Sequence, residues 1–331
     1  MTNSAMTIIQ QNKQVMGAFW DRLNASQPSG VADAVRAYVH PDIVWHGAHP
    51  INDLYGADAL IQGFWQPLRD AFPDLKRTSQ ILIGGHVHYV AEIGYYRGTF
   101  ERDWLGIPAT GRQIDIRFGE FSAVYDGKVI LSYCLPDILD VIRQAGFQLI
   151  PPSRGAEGRV QGPMTGDGVF FTAQDDQEGA RTLALAKTMC AALDSPELGS
   201  FWNTQTMRWY GPSGIGTTYG LDGFVTQHQH PFKHAFPRYG SYRMGVHSAE
   251  VGEGNYAGWV GWPSIHAIQV GEYLGCPPTG RFVDWRLMDF YRREGNLIIE
   301  NWVPVDMLYL FLQMGKDVLG ELRSARAKAH A

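Results

Sequence analysis

The sequence predicts an α+β protein made of two tandem cone-like domains, each a curved antiparallel sheet wrapped around N-terminal helices. Three observations carry that prediction. The chain repeats itself at a whole-domain period, each repeat runs helices first and strands after, and a Gly/Pro-rich stretch separates the copies.

The repeat is visible by eye. LGIPATGRQID at 105–115 returns as LGCPPTGRFVD at 274–284, and the match extends without gaps from 105–137 onto 274–306. Upstream, WHGAHPINDLYGADALIQGFWQPLRDAFP (45–73) lines up on WYGPSGIGTTYGLDGFVTQHQHPFKHAFP (209–237). Solenoid repeats run at about 20–50 residues. The offsets here, 164 from 45 to 209 and 169 from 105 to 274, mean a duplicated domain. At 331 residues the chain also exceeds the roughly 250–300 at which a single core stops growing. The expected division is copy one over 1–149, a linker over 150–178, and copy two over 179–331. The linker, opening IPPSRGAEGRVQGPMTGDG, lacks apolar periodicity and is long enough to wrap between the domains.

Within copy one, VMGAFWDRL and VADAVRAYV place apolar residues at helical spacing, and Pro41 closes the second helix. RTLALAKTMCAAL opens copy two in the same role. A helix follows Tyr-Gly in each copy and is expected to break near Pro67 and Pro231. After AFP the pattern changes to strands: TSQILIG, HVHYVAEIGYY, QIDIRFGEFSAVY and KVILSYCL, with YAGWVGW, FVDWRLMDFYRR and NLIIENWV as counterparts. DG at 126–127 and EGN at 294–296 read as hairpin turns. ILDVIRQAG and MLYLFLQMG are short closing helices with Gly stops. A sheet curled around helices encloses an apolar pocket.

Bulk composition bounds the partners. A net charge of −5 and no basic run argue against nucleic acid, which needs a positive footprint. Three scattered cysteines form no CxxC pair, so neither a disulfide framework nor a zinc site is expected. The N-terminus has no signal-peptide pattern, and no apolar run reaches membrane-span length, so a cytoplasmic protein without membrane association is expected.

Candidate chemistry centres on the acid that ends each last strand, Asp137 in SYCLPD and Asp306 in ENWVPVD. Strand parity sets Tyr133 beside Asp137 and Trp302 beside Asp306. A carboxylate next to a large ring at the mouth of an apolar cavity is partly desolvated, which raises its pKa toward the working range of an acid–base catalyst. Both acids also suit the N-cap of the helix that follows. The W-(H/Y)-G segment adds Trp45, His46, Trp209 and Tyr210 as pocket candidates, with His46 near Asp53. His228, His230 and His234 in HQHPFKH have metal-like spacing, but the copy-one equivalent FWQPLRD carries no ligands, so no metal is expected. His86 and His88 read as solvent-facing around a hairpin. The P-x-T-G-R phrase reads as a turn into a strand, with Asp115/Arg117 and Asp284/Arg286 on one face and Val283/Trp285/Leu287 on the other. Gly211–Gly216 (GPSGIG) resembles a phosphate loop only superficially.

W-(H/Y)-G, AFPD, LGIPATGR and the aromatic-x-x-x-Asp ending resemble the SnoaL-like polyketide cyclases of the nuclear transport factor 2 superfamily, as a tandem-domain member. The resemblance implies cofactor-independent aldol condensation with Asp137 or Asp306 as the acid–base group and His46 or Gln269 stabilising an enolate. Where the family usually has a histidine before the GIPATGR phrase, copy one has Phe100 and copy two has Gln269, with His266 three residues earlier. The fold equally accommodates an isomerase, a dehydratase, a hydrolase or a non-catalytic small-molecule binder. An intramolecular pseudo-dimer is expected, open to further homo-oligomerisation.

Overall fold

α1 (Ile8–Ala25) starts at Thr7, which accepts the Gln10 N–H while the Gln10 side chain accepts the Thr7 N–H. This reciprocal cap satisfies two donors that a helix start leaves open. In this computed structural model the described residues are 7–85, 88–168, 171–237 and 247–329. α2 (Val31–Tyr38) follows and feeds β1 (Val39–Gly47) and β2 (Asp53–Tyr55). α3 covers 57–71, and β3 (Lys76–Gly85), β4 (Tyr89–Thr99), β5 (Gln113–Tyr125) and β6 (Lys128–Pro136) complete copy one before α4 (Ile138–Gln144). Copy two repeats the plan with α5 (Asp176–Ala191), β7 (Arg208–Tyr210), β8 (Thr217–Tyr219), α6 over 220–235, β9 (Ala249–Glu253), β10 (Tyr256–Ile268), β11 (Phe282–Glu294), β12 (Leu297–Trp302) and α7 (Met307–Gln313), and adds α8 (Val318–Ala329). α5 begins inside the segment read as linker.

Both sheets have six strands in corresponding order, β2-β1-β6-β5-β4-β3 and β8-β7-β12-β11-β10-β9. Neither is wholly antiparallel, although the hairpins alone predict an antiparallel sheet. β1 runs parallel to β6, and β7 to β12, because the first strand of each copy arrives from the helices and joins the last. The β5–β6 turn is Asp126-Gly127, both at positive φ, the conformation such hairpins need.

The helices over 57–71 and 220–235 do not break at their prolines. Each contains a five-residue π-helical turn, Ile61–Trp65 and Val225–Gln229, directly before the proline-bearing segment. The Gln66 and His230 N–H groups bond carbonyls five residues back, and this wider turn takes up the proline without ending the helix.

The two copies pack sheet against sheet. Phe121 meets Phe290 with ring centroids 5.3 Å apart, and a Cβ on Gly119 would lie 2.7 Å from Pro304, so the sheets touch through glycine. Lys13 on α1 forms a buried ion pair with Glu253 on β9 (2.5 Å), and Glu253 also accepts the Gly84 N–H at 2.7 Å. The linker wraps over this seam. Val160 exchanges hydrogen bonds with the Tyr95 hydroxyl, Gln161 O accepts from Trp302, and Ala156 bridges to Thr217.

The twin phrase is architecture. Leu105 and Leu274 share φ 53°, and the bridges Trp104–Ile107 and Tyr273–Cys276 close the same loop. Gln144 on α4 clamps the backbone of Asp115 from both sides, and Gln313 on α7 does the same to Asp284.

Candidate functional site

Asp137, Asp306 and Tyr133 lie at the seam between the sheets and not in a cone interior. Asp137 caps α4 by accepting the Asp140 N–H (3.1 Å) and reaches across to accept the Ser213 N–H (2.9 Å). Asp306 caps α7 through the Tyr309 N–H (3.2 Å) and accepts the His49 N–H of copy one (3.0 Å). His49 and Ser213 are equivalent in the repeat, so these are one contact made twice about a pseudo-two-fold axis. Burial raises the Asp306 pKa to about 6, against the smaller pull of the His49 N–H and Arg286. The void between the two acids is about 10 Å³, no larger than a water needs.

The companion residues divide likewise. His46 bonds Asp53 (2.9 Å), stacks on Tyr133 (4.7 Å) and faces Trp262 of copy two, so it too lies at the seam. Tyr210 stacks on Trp302 (5.2 Å) and donates to Glu300 (3.0 Å). His266 bonds Asp284 on the outer face (2.5 Å). Gln269 is fully buried and donates to the carbonyls of Gly271, Cys276 and Pro277, holding the LGCPPTG turn. Of the expected pocket residues only the tryptophans of W-(H/Y)-G point inward: Trp45 against Phe64 (4.9 Å), Trp209 against His228 (3.9 Å).

The cavity lies inside the cone of copy two. Its volume is about 450 Å³, within the range of small-molecule sites. Trp202, Trp209, Phe224, Phe232, Trp259 and Trp285 make its wall largely aromatic. Set into that wall is Asp289 of β11. Its carboxylate accepts from Trp259 Nε1 (3.0 Å), the Tyr291 hydroxyl (3.1 Å) and Asn301 Nδ2 (3.3 Å), all neutral donors. Burial raises its pKa above the ordinary carboxylate value, opposed by those hydrogen bonds and by nearby His247. His228, brought inward by the π-helical turn, has its pKa lowered to about 3 by burial and stands as a neutral imidazole with Nδ1 unpartnered. Ser264 Oγ and Trp285 Nε1 are likewise buried and unpartnered in the lining.

Sequence reasoning missed Asp289, although the signal was present. The alternation that sets Val283, Trp285 and Leu287 on the inner face of β11 continues to Asp289 and Tyr291. An acid in phase with an apolar face is the informative observation. HQHPFKH splits, with His228 inside and His230 and His234 exposed. His86 lies outside the described residues, and His88 is half-buried against Tyr125 instead of facing solvent. GPSGIG does bind anions, but they are the protein's own: Ser213 and Gly214 donate to Asp137 and Glu157. Among the described residues no group of three or more His, Cys, Asp or Glu could hold a metal, and no helix is long and apolar enough to cross a membrane.

Copy one has the same cone, filled. Glu120 occupies the position of Asp289, and Glu92 that of Trp259. Arg77 lies between Trp20 (3.6 Å) and Phe118 (4.1 Å) and pairs with both Glu92 and Glu120 (3.1 Å to the latter). All three charged side chains are buried.

Each copy is thus an α+β cone, and the second encloses a ligand-sized cavity. Residues 13–145 match the model of the SnoaL-like polyketide cyclase family. Solved structures align over one domain's length. A candidate SnoaL-like polyketide cyclase from Jannaschia sp. CCS1 is 20% identical, with TM-score 0.39, covering 44% of this chain and 99% of that one. IdmH, a candidate polyketide cyclase from Streptomyces antibioticus, is 24% identical (TM-score 0.36; 41% and 99%). AclR, a candidate hydroxylase from Streptomyces galilaeus, is 19% identical (TM-score 0.36; 42% and 97%). No curated protein matches.

Proposed function

We propose that copy two binds a flat, mostly apolar carbonyl compound and that Asp289 moves the proton on the carbon beside its carbonyl, the enolate chemistry of a cyclase-type enzyme. The observation that carries this reading is a carboxylate inside an aromatic cavity, held by neutral donors and, among the described residues, by no ion pair. Such a group is oriented without being neutralised, and its raised pKa suits it to exchange a proton nearer neutral pH. The electron pair released from carbon passes to the carbonyl oxygen, so the step needs no cofactor. The proposal moves the acid–base role from Asp137 and Asp306, which cap helices at the seam, to Asp289.

The test is deuterium exchange at the benzylic α-carbon of β-tetralone, a flat bicyclic ketone, followed by NMR, together with turnover of a panel of β-keto esters. Wild type should catalyse exchange and Asp289→Asn should not. Equal rates in the two proteins defeat the assignment. A second reading, binding without conversion, draws on the unpartnered His228 Nδ1, Ser264 Oγ and Trp285 Nε1, which offer fixed positions for recognition alone. Ligand-induced quenching of tryptophan fluorescence with no exchange would favour it.

A further inference from the structure

We propose that His247 is a second acid–base residue of this cavity, protonating the carbonyl oxygen while Asp289 takes the proton from the adjacent carbon. The inference rests on the reading above and names the partner it lacks. A single base leaves the developing oxyanion to neutral hydrogen bonds. An acid aimed at that oxygen removes the charge as it forms.

His247 is placed for this by two contacts, one of them fixed in turn by Lys187. Its ring stacks on Trp259 (4.7 Å between centroids, 14° between planes), the same indole whose N–H holds Asp289, so one side chain positions both groups along one wall. Its Nδ1 lies 2.8 Å from Glu250 Oε1. A carboxylate only accepts, so Nδ1 carries a proton and Nε2 is the ring nitrogen left for a ligand. Glu250 is itself fixed by Lys187 Nζ at 2.8 and 3.0 Å. Both His247 and Lys187 line the cavity, and the imidazole is nearly enclosed, at 7% side-chain exposure. Among the described residues, the charged and titratable groups around it are therefore Glu250 on β9, Lys187 and Cys190 on α5, and Asp289 and Tyr291 on β11. His247 is also near enough to Asp289 to favour its ionised form.

The step balances within the site. The C–H bond of the substrate breaks, its proton joins the Asp289 carboxylate, and its electron pair forms the C=C bond. The carbonyl π pair moves to oxygen and takes the Nε2 proton of the imidazolium. Reversal of both transfers gives exchange or isomerisation. Glu250 is a positioning residue that holds the ring and its tautomer.

The same β-tetralone exchange decides the matter, with fold monitored by far-UV circular dichroism. His247→Ala should slow exchange by about a hundredfold or more, and added imidazole should restore rate to that variant but not to Asp289→Asn. Glu250→Gln should shift the His247 ring nitrogens toward the other tautomer in ¹⁵N-resolved NMR, which a merely structural role would leave alone. His247→Gln, which keeps bulk at the wall, should be as slow as His247→Ala. If His247→Gln is fully active, or imidazole rescues nothing, the assignment of His247 falls while that of Asp289 stands. Wild-type protein that binds the ketone without exchanging it overturns both, as does wild type that shows no binding.

Discussion

The two cones solve one packing problem in opposite ways. Each sheet presents an inner face with an acid midway along its fifth strand, Glu120 of β5 in copy one and Asp289 of β11 in copy two. Copy one fills the space with Trp65, Tyr96 and Phe118 and brings in Arg77 from β3 to neutralise the acid. Copy two carries Gln229, Ile265 and Leu287 at the corresponding positions, has no Lys or Arg paired with its acid among the described residues, and keeps a cavity of about 450 Å³. A buried charge in the first case is a component of the core; in the second it is available to a ligand. A chain with one filled and one open copy can divide labour, with copy one supplying the seam contacts against which copy two is held.

The sharpest break of this comparison is to neutralise each acid in turn. Asp289→Asn should lower β-tetralone exchange by roughly 10²–10⁴, the usual contribution of a positioned acid–base group. Glu120→Gln should leave exchange unchanged, because its pocket is closed. Burial pushes the Glu120 pKa up against the opposing pull of Arg77, and in this variant Arg77 keeps Glu92 as its buried partner. A rate loss in Glu120→Gln equal to that in Asp289→Asn would show that the copies are not divided in this way.

Next in size is the plug itself. Arg77→Met leaves Glu92 and Glu120 buried together without their cation, a class of change that costs about 3–5 kcal/mol. Denaturant unfolding should show it. The triple variant Arg77→Met, Glu92→Gln, Glu120→Gln should recover most of the loss, since the penalty lies in the unpaired charge and not in the missing guanidinium. A triple variant no more stable than the single one would mean that Arg77 acts through packing between Trp20 and Phe118.

The fold was legible because its signals are local and occur twice. Hairpin glycines, capping acids and the LGxPxTGR loop each declare themselves within a dozen residues, and duplication separates them from chance. The parity of β11 was also readable as far as Asp289. What parity cannot tell is which face of a sheet meets its own helices and which meets the other domain. Tyr133 and Asp137, read as a pocket pair, both make contacts across the seam. Nor does a sequence show which of two cones is open. That depends on the summed volumes of Trp65, Tyr96 and Phe118 against Gln229, Ile265 and Leu287, and on Arg77 reaching an acid 43 residues away. The π-helical turns add a rotation that helical periodicity does not anticipate, and they are what brings His228 inside.

The smallest contrast lies at the seam, between two acids in equivalent places. Asp306 is buried and its pKa is raised from 3.8 to about 6, so the folded chain holds that proton more tightly than the unfolded one. Its contribution is therefore fully present below about pH 4 and lost as pH rises through about 6. Asp306→Asn removes this dependence. Measured against wild type from pH 4 to 7, the variant should gain relative stability with rising pH, up to about 3 kcal/mol, after an initial offset of about 1 kcal/mol for the lost acceptor. Parallel profiles would refute the burial account. Asp137 is only half-buried, so Asp137→Ala should cost about 1 kcal/mol. That loss comprises the α4 cap and the Ser213 contact, and Ser213→Pro, which deletes only the second donor, separates the two.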